Sequence, residues 1–469
     1  MPYARSKARA LPISFQPELG SASCPTYASL RKFLSPKSLE KFPSKFSSES
    51  SSDGGVDSEW HYHNWLSFST PNETWRPLCP GGLDHVYNLG SPATTEEYAQ
   101  AAQVAQLSQF QALFEGFLEY MWEFYSAVIM WKSQSPWPVF RGAFYDSWLA
   151  PTGGFYGVRR ALGGAAADGA GVLGTAHVQL NLQTWAPTII VRGPGAVHAS
   201  TALAAPTKRG FAEDAKKGEG DSEHSGLGAN VVGTLHVIAK FYTLKGVEAG
   251  APTQWDLPEK YAQSIPGQAV VKLATPLQWP RQQSASDKAS APVPGPLLIK
   301  LELVASSATA GTKLLASATT VQSNPATAVD FTAFGPLRSN QAEWLNATMR
   351  IEQYVDGGAT AHRRFPGERH ASPLKAAAAE SSITVTLALP STASHALFYA
   401  ELQLVDLTVP SGGESRILPV WWSDNYVTLL PGEQVTLTAH FDHTDVAVGA
   451  YLAVKLGGWN ANPVVAPLE

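Results

Sequence analysis

SFQPELGSA, Ser14 to Ala22, closes an apolar run (Leu11, Ile13, Phe15) with a carboxylate, Glu18, and then a glycine among small residues. Downstream, Thr94 and Glu97 form a capping box. From Glu96 to about Phe124 the only glycine or proline is Gly116, and Tyr98, Ala102, Ala105, Phe110, Leu113, Phe114, Phe117 and Met121 share one side. That pattern predicts a long helix. AVIMWK, Ala127 to Lys132, is a second short apolar strand, ended by Pro136 and Pro138. Strand, helix, strand in this order predicts a βα repeat whose last strand is parallel and fully buried. Taken alone, Glu18 reads as a solvated loop residue and Trp131 as a core tryptophan. At the carboxyl ends of barrel strands, by contrast, such side chains line an active site.

From about His177 the hydrophobic period changes to two. HVQLNL, GTLHVIAKF, LLIKLELV, ITVTLAL, FYAELQLV and QVTLTAHF alternate between Gly/Pro/Ser turns, with no convincing helix among them. Alternation of this length predicts two antiparallel sandwiches in tandem. Thr207–Gly226 and Ser284–Pro296 read as exposed loops or linkers. The expected fold is therefore α/β plus all-β, with domains at 1–165, 175–305 and 340–469. About 165 residues with two plausible core strands are too few for a closed (β/α)₈ barrel of roughly 250 residues, so part of the barrel is expected upstream of Met1.

The totals narrow the function. The 469 residues carry 34 Lys+Arg against 39 Asp+Glu, a formal charge of −5, with no basic stripe. Nucleic acid and anionic membrane are poor partners for such a surface. No run reaches the length of a membrane helix, and the apolar stretch after the basic start is too short for a signal peptide. Two cysteines, Cys24 and Cys79, allow one disulfide but no metal cluster. Cys24 lies six residues past Glu18 and reads as a small packed thiol. His61-Tyr62-His63 lacks a third metal ligand and reads as an aromatic loop, and Gly153-Gly154 as a tight turn. Asn346-Ala347-Thr348 is a bare sequon match, and Asp424 and Asn425 read as turn residues with a structural role.

Taken together, the long motifs resemble a family. SFQPELGSASCPTYASLRKFL, EWHYHNW, FEGFLEYMW and IMWKSQSPWPVFRGAFYDSWLAPTGGFYGVRR, then HVQLNL, RILPVWWSDNYVTLLPGE and GGWN, occur in the order found in glycoside hydrolase family 2. They sit nearest its plant-type endo-β-mannosidases, with exo-β-D-glucosaminidases as near relatives. The likeness covers most of the chain and weakens between about Lys245 and Ser382. It implies the C-terminal remnant of a TIM barrel, strands seven and eight, followed by two immunoglobulin-like β-sandwiches. It implies a retaining β-glycosidase with no cofactor or metal, Glu18 as nucleophile, and Trp131, Lys132, Trp137 and His61 around the sugar. Ser135 departs from the family's WK…NPW pattern, where plant enzymes carry Asn.

A retaining mechanism needs a second carboxylate about 5 Å from the nucleophile. The family places that acid in an Asn-Glu pair upstream of the nucleophile. The chain's Asn72-Glu73 lies downstream of Glu18, so the acid is expected outside this chain, with an upstream chain completing the barrel as the partner this implies. The expected ligand is a β-mannoside or N-glycan-derived oligosaccharide. IMWKSQSPWPVFRG favours the endo-β-mannosidase side and SLRKFLSP the exo-β-D-glucosaminidase side. A non-catalytic pair of sandwiches binding a glycan or a protein is the alternative from another class.

Overall fold

The structure, a computed structural model, describes residues 15–20, 23–40, 42, 58–63, 66–67, 76–77, 89–140, 143–163, 176–192, 196–199, 233–282, 291–327, 329–356, 380–408 and 415–468. Thr207–Gly226, the Asn72-Glu73 pair, Cys79 and most of Ser284–Pro296 lie outside the described residues. The fold is mixed α/β and mostly β.

Strands Phe15–Leu19 and Ala127–Met130 pair in parallel, with the helix Thr95–Leu118 between them in sequence. Thr94 caps that helix, its Oγ1 accepting the Glu97 amide at 3.2 Å. Tyr98, Ala101, Ala102 and Phe110 are buried, as the apolar pattern requires. Two expectations fail here. The helix stops at Leu118, not near Phe124, because tertiary contacts claim the next residues. Asn181 Nδ2 donates to both Glu119 carboxylate oxygens at 2.6 Å, and Tyr125 turns back to put its ring 4.6 Å from Phe117. The strand Ala127–Met130 is parallel but not fully buried, since Ile129 is 51% exposed. Its apolar run is thus only half used within the described residues.

A second helix, Gly153–Ala161, packs along Thr95–Leu118. Gly153 and Gly154 open this helix and do not form a tight turn; the Gly153 amide donates to Gln103 Oε1 at 2.9 Å. The axes come so close that a Cβ at Gly157 would stand 2.2 Å from the Leu107 carbonyl oxygen, whereas one at Gly116 would meet nothing within 4 Å. Opposite signs follow for two similar substitutions. Gly157→Ala is expected to destabilise by about 1–3 kcal/mol through overpacking against backbone. Gly116→Ala is expected to stabilise by about 0.5–1 kcal/mol, the helix-propensity gain. Denaturant unfolding of both variants checks this, and like signs would mean the interhelical contact is looser than described.

The alternating segments form antiparallel sheets. Ala269–Lys272, Pro187–Val191 and Ala176–Leu180 make a three-stranded sheet. Gly311–Gln322, Leu297–Ser307, Thr234–Tyr242 and Thr253–Asp256 make a four-stranded one. Val178, Ile189, Val237, Trp255, Ile299 and Leu301 share their core. This sheet continues to Gln322, past the expected edge at 305, because Leu297–Ser307 pairs along its length with Gly311–Gln322.

Farther on, Thr348–Val355, Glu380–Ala388, Gln434–Asp442 and Trp421–Trp422 form one sheet. Ser415–Arg416, Leu397–Asp406, Leu452–Gly457 and Val464–Pro467 form another, with Val427–Leu429 also on Leu397–Asp406. Burial alternates along Glu380–Ala388 as a one-sided strand demands. A short helix, Phe334–Ser339, does interrupt the β-rich half; the Phe334 carbonyl accepts the Trp459 indole N–H at 2.8 Å.

These last sheets hold the α/β part in place. Arg160 donates from Nε to both Asp424 oxygens at 3.2 Å, and from Nη2 to the carbonyls of Asn425 and Tyr426 at 2.8 and 2.9 Å. Arg159 donates to the Ser423 carbonyl. Tyr156 and Tyr426 rings meet at 5.8 Å, and burial pushes the Tyr156 hydroxyl well above its usual range. Gln100 Nε2 donates to the Gly458 carbonyl at 2.6 Å. The buried Asn425 both accepts from the Leu402 amide (2.8 Å) and donates to the Leu402 carbonyl (2.9 Å). Asp424 and Asn425 are therefore a docking plate as well as a turn.

Candidate functional site

The two parallel strands bring Glu18 and Trp131 to the same end. Leu19 stands opposite Met130, and a register shift between Gln16 and Leu19 takes up Pro17, which has no amide hydrogen for the ladder. The Trp131 amide then donates to the Leu19 carbonyl at 2.7 Å, so pairing runs one residue past the strands. A Cβ on Gly20 would lie 2.3 Å from the Trp131 carbonyl oxygen. Only glycine permits this approach, which gives the small residue after Glu18 a physical reason. Glu18 is exposed, Trp131 is 49% exposed and Lys132 is half-buried. The Trp131–Lys132 peptide is cis.

A second group gathers around Trp137, six residues along the chain from Trp131. The Trp137 ring stands 5.7 Å from His63 and 5.9 Å from Tyr62. His63 is tied down twice: its Nδ1 lies 2.7 Å from the Pro138 carbonyl, and its own carbonyl accepts the Phe140 amide at 2.9 Å. Phe33 packs on His63 at 4.5 Å and stacks on Trp148 at 5.9 Å. The ammonium of Lys32 sits 5.2 Å over Trp148. Burial lowers the Lys32 pKa, and the nearby charge of Arg416 adds to this against the pull of Asp146. His61 falls in the short helix Ser58–Tyr62, not in a loop, and its side chain lies outside the described residues. Among the described residues no direct contact joins Glu18 to Trp137; the segment Lys132–Pro136 connects them.

Cys24 is buried, its carbonyl accepting from Gln103 Nε2 at 2.8 Å and Gln106 Nε2 at 3.1 Å. It packs in the core cluster that also holds Leu30, Tyr98 and Ala102. Sequence reasoning missed Phe33, Trp148, Lys32 and Tyr145, because single aromatics and lysines in loops carry no spacing signal. Asn346 accepts from Asn462 Nδ2 at 2.8 Å.

The chemistry available is specific. A carboxylate on a strand end can attack carbon or take a proton, and exposed aromatic planes can face the C–H side of a pyranose. One carboxylate cannot serve at once as nucleophile and proton donor. Among the described residues no group of three His, Cys, Asp or Glu could hold a metal ion, and no helix is long and apolar enough to cross a membrane.

Parts of the chain are similar to known proteins. The family described as the exo-beta-D-glucosaminidase Ig-fold domain matches residues 367–461, an immunoglobulin-like domain in the C-terminal half. Mannosylglycoprotein endo-beta-mannosidase of Lilium longiflorum is 33% identical over 171 residues, 36% of this chain and 16% of that protein. Exo-beta-D-glucosaminidase of Amycolatopsis orientalis is 37% identical over 95 residues, 20% of this chain and 9% of that protein. The crystal structure of an Amycolatopsis orientalis exo-chitosanase aligns with 96% of this chain at a TM-score of 0.61 and 18% identity. The chain spans 42% of that solved enzyme and smaller shares of the curated relatives. Its resemblance is to glycoside hydrolases of family 2.

Proposed function

We propose that the chain is the C-terminal portion of a retaining β-glycosidase that cleaves β-mannosidic bonds of glycans. In this reading residues 15–163 supply the last two strand–helix units of a (β/α)₈ barrel, and two immunoglobulin-like sandwiches follow. The observation that carries it is the parallel register that sets Glu18 beside Trp131 at one strand end. In a barrel, chemistry resides at the carboxyl ends of the strands.

Glu18 attacks the anomeric carbon; the glycosidic C–O bond breaks and a glycosyl ester forms on the carboxylate. A second carboxyl group protonates the leaving oxygen, then takes a proton from the water that hydrolyses the ester. We place that acid in sequence outside this chain. Trp131 and Trp137 present faces for the sugar, and Lys132 supplies a cation beside them. The mannoside preference rests on the lily relative, whose match spans the larger share of this chain. The immunoglobulin-like match to an exo-beta-D-glucosaminidase domain favours a glucosaminide as the second reading.

The test uses two preparations. The 469-residue chain alone is expected to show no turnover of an aryl β-mannoside. An enzyme that also carries the preceding strands is expected to hydrolyse it. A fluorinated β-mannosyl inactivator should then leave its mass on the peptide containing Glu18. A label on any other carboxylate, or turnover by the chain alone, would overturn the assignment. A covalent label from a 2-amino sugar analogue alone would move the substrate to glucosaminides.

A further inference from the structure

A cleft of about 550 Å³ opens where the segment after the helix Thr95–Leu118 meets the three-stranded sheet. Its volume falls in the range of small-molecule sites. Met121, Trp122 and Glu123 line one side, and Val270, Val271 and Lys272 of the strand Ala269–Lys272 line the other. Trp122 precedes the strand Ala127–Met130, whereas Glu18 and Trp131 stand at that strand's far end. The Trp122 ring is 49% exposed on a left-handed backbone, φ 64°. That conformation is unfavourable for any residue with a Cβ, so no local preference puts a large side chain there. The turn is held all the same, the Trp122 amide donating to the Tyr125 carbonyl at 3.0 Å. Gln268, also on the cleft, shares the conformation at φ 55°.

The polar lining is fixed as well. Glu119 is 6% exposed and lines the cleft; Asn181 Nδ2 donates to both its oxygens at 2.6 Å, and among the described residues no cation pairs with it. A buried carboxylate answered only by an amide keeps lone pairs for further donors. Lys272 is held between Glu123 Oε2, at 2.8 Å, and the Tyr120 ring, at 4.1 Å, while the Lys260 ammonium lies 4.6 Å over Tyr261. Side chains placed this way have little freedom left to lose on binding. Two carboxylates, Glu119 and Glu123, against two ammoniums, Lys260 and Lys272, leave the lining without net charge. Such a lining offers no net attraction to an ion, and its charges make it a poor host for a purely apolar ligand. It matches a neutral molecule with an apolar face and many hydroxyls. We propose that the cleft binds a pyranose unit of a neutral oligosaccharide, with Trp122 against its C–H face and Glu119 accepting its hydroxyls. The proposal goes beyond the glycosidase reading and does not use Glu18. It gives the chain a second hold on a glycan, at a place where no bond is broken.

The experiment titrates the 469-residue chain with β-1,4-mannotetraose and follows it by heteronuclear NMR at two reporters, the Trp122 indole N–H and the backbone amide of Val270. The indole signal, assigned by its absence in Trp122→Phe, is expected to shift saturably, and the Val270 amide to follow the same curve. The decisive variant is Trp122→Gly. Glycine suits φ 64°, so the thermal midpoint is expected to hold or rise, while affinity read at the Val270 amide falls about tenfold. A tryptophan kept only for structure would not separate the two. Glu119→Gln keeps the shape and one acceptor for Asn181, and is expected to weaken binding by roughly threefold or more, which tests the cleft from its polar side. No saturable shift at Trp122, or undiminished affinity in Trp122→Gly and Glu119→Gln, overturns the proposal. Saturation here with no turnover in any preparation would keep the cleft and count only against Glu18. Turnover by the completed enzyme with no saturation here would do the reverse.

Discussion

Glu18→Gln, in an enzyme that also carries the preceding strands, is expected to cut turnover of an aryl β-mannoside by roughly 10⁴-fold or more with unfolding unchanged. Glutamine keeps the shape and loses the nucleophile. Stability should hold because Glu18 is exposed, and the hydrogen bond described for it runs to its backbone carbonyl from Gln16 Nε2, at 2.5 Å. A side chain that supports no neighbour among the described residues changes chemistry when it changes, not packing. Glu18→Gly extends the test by opening a space for a small anion. Azide entering on the carboxylate's face would attack the anomeric carbon and give an α-glycosyl azide, opposite in configuration to the substrate. A β-glycosyl azide would instead mean that Glu18 had been the acid, with the nucleophile intact elsewhere. Glu18→Gln turning over at the rate of the parent enzyme would end both assignments.

Much of the local order could be read from residue pattern alone. Thr94 and Glu97 mark the start of the long helix because a cap is a contact between residues three apart. The strands at Glu380–Ala388 and Gln434–Asp442 alternate because one face is buried. Glu18 and Trp131 were legible as strand ends for the same local reason. The helix end at Leu118 was not, because Glu119 answers to Asn181, sixty-two residues away. Nor was the helical role of Gly153 and Gly154, which depends on how close the neighbouring helix comes. The half-exposed Ile129 shows the converse failure, where an apolar run predicts burial that the described neighbours do not supply. For the site, sequence pointed to Trp137 but not to Phe33 and Trp148 in the aromatic group beside it. Phe33 and Trp148 stack across 115 positions of chain, and no periodicity encodes it.

The same distance in sequence makes Arg160 the most consequential residue for how the parts hold together. Arg160→Ala is expected to lower unfolding free energy by about 3 kcal/mol, since it removes an ion pair with little solvent access and orphans two carbonyls. The side chains of Arg160 and Asp424 are 18% and 19% exposed, so water repairs little of the loss. Asp424 keeps one partner, the Asn425 amide at 2.8 Å, which keeps the penalty below that of a fully stranded charge. Asp424→Ala removes the pair but spares the Arg160 bonds to the Asn425 and Tyr426 carbonyls, so it should cost less. A double-mutant cycle is expected to return a coupling of roughly 0.5–3 kcal/mol between the two. Strict additivity would mean the pair contributes nothing and the carbonyl bonds carry the dock. The readout should also change in form. With the clamp gone, the helix Gly153–Ala161 loses its anchor on Trp421–Tyr426, and unfolding is expected to separate into two steps.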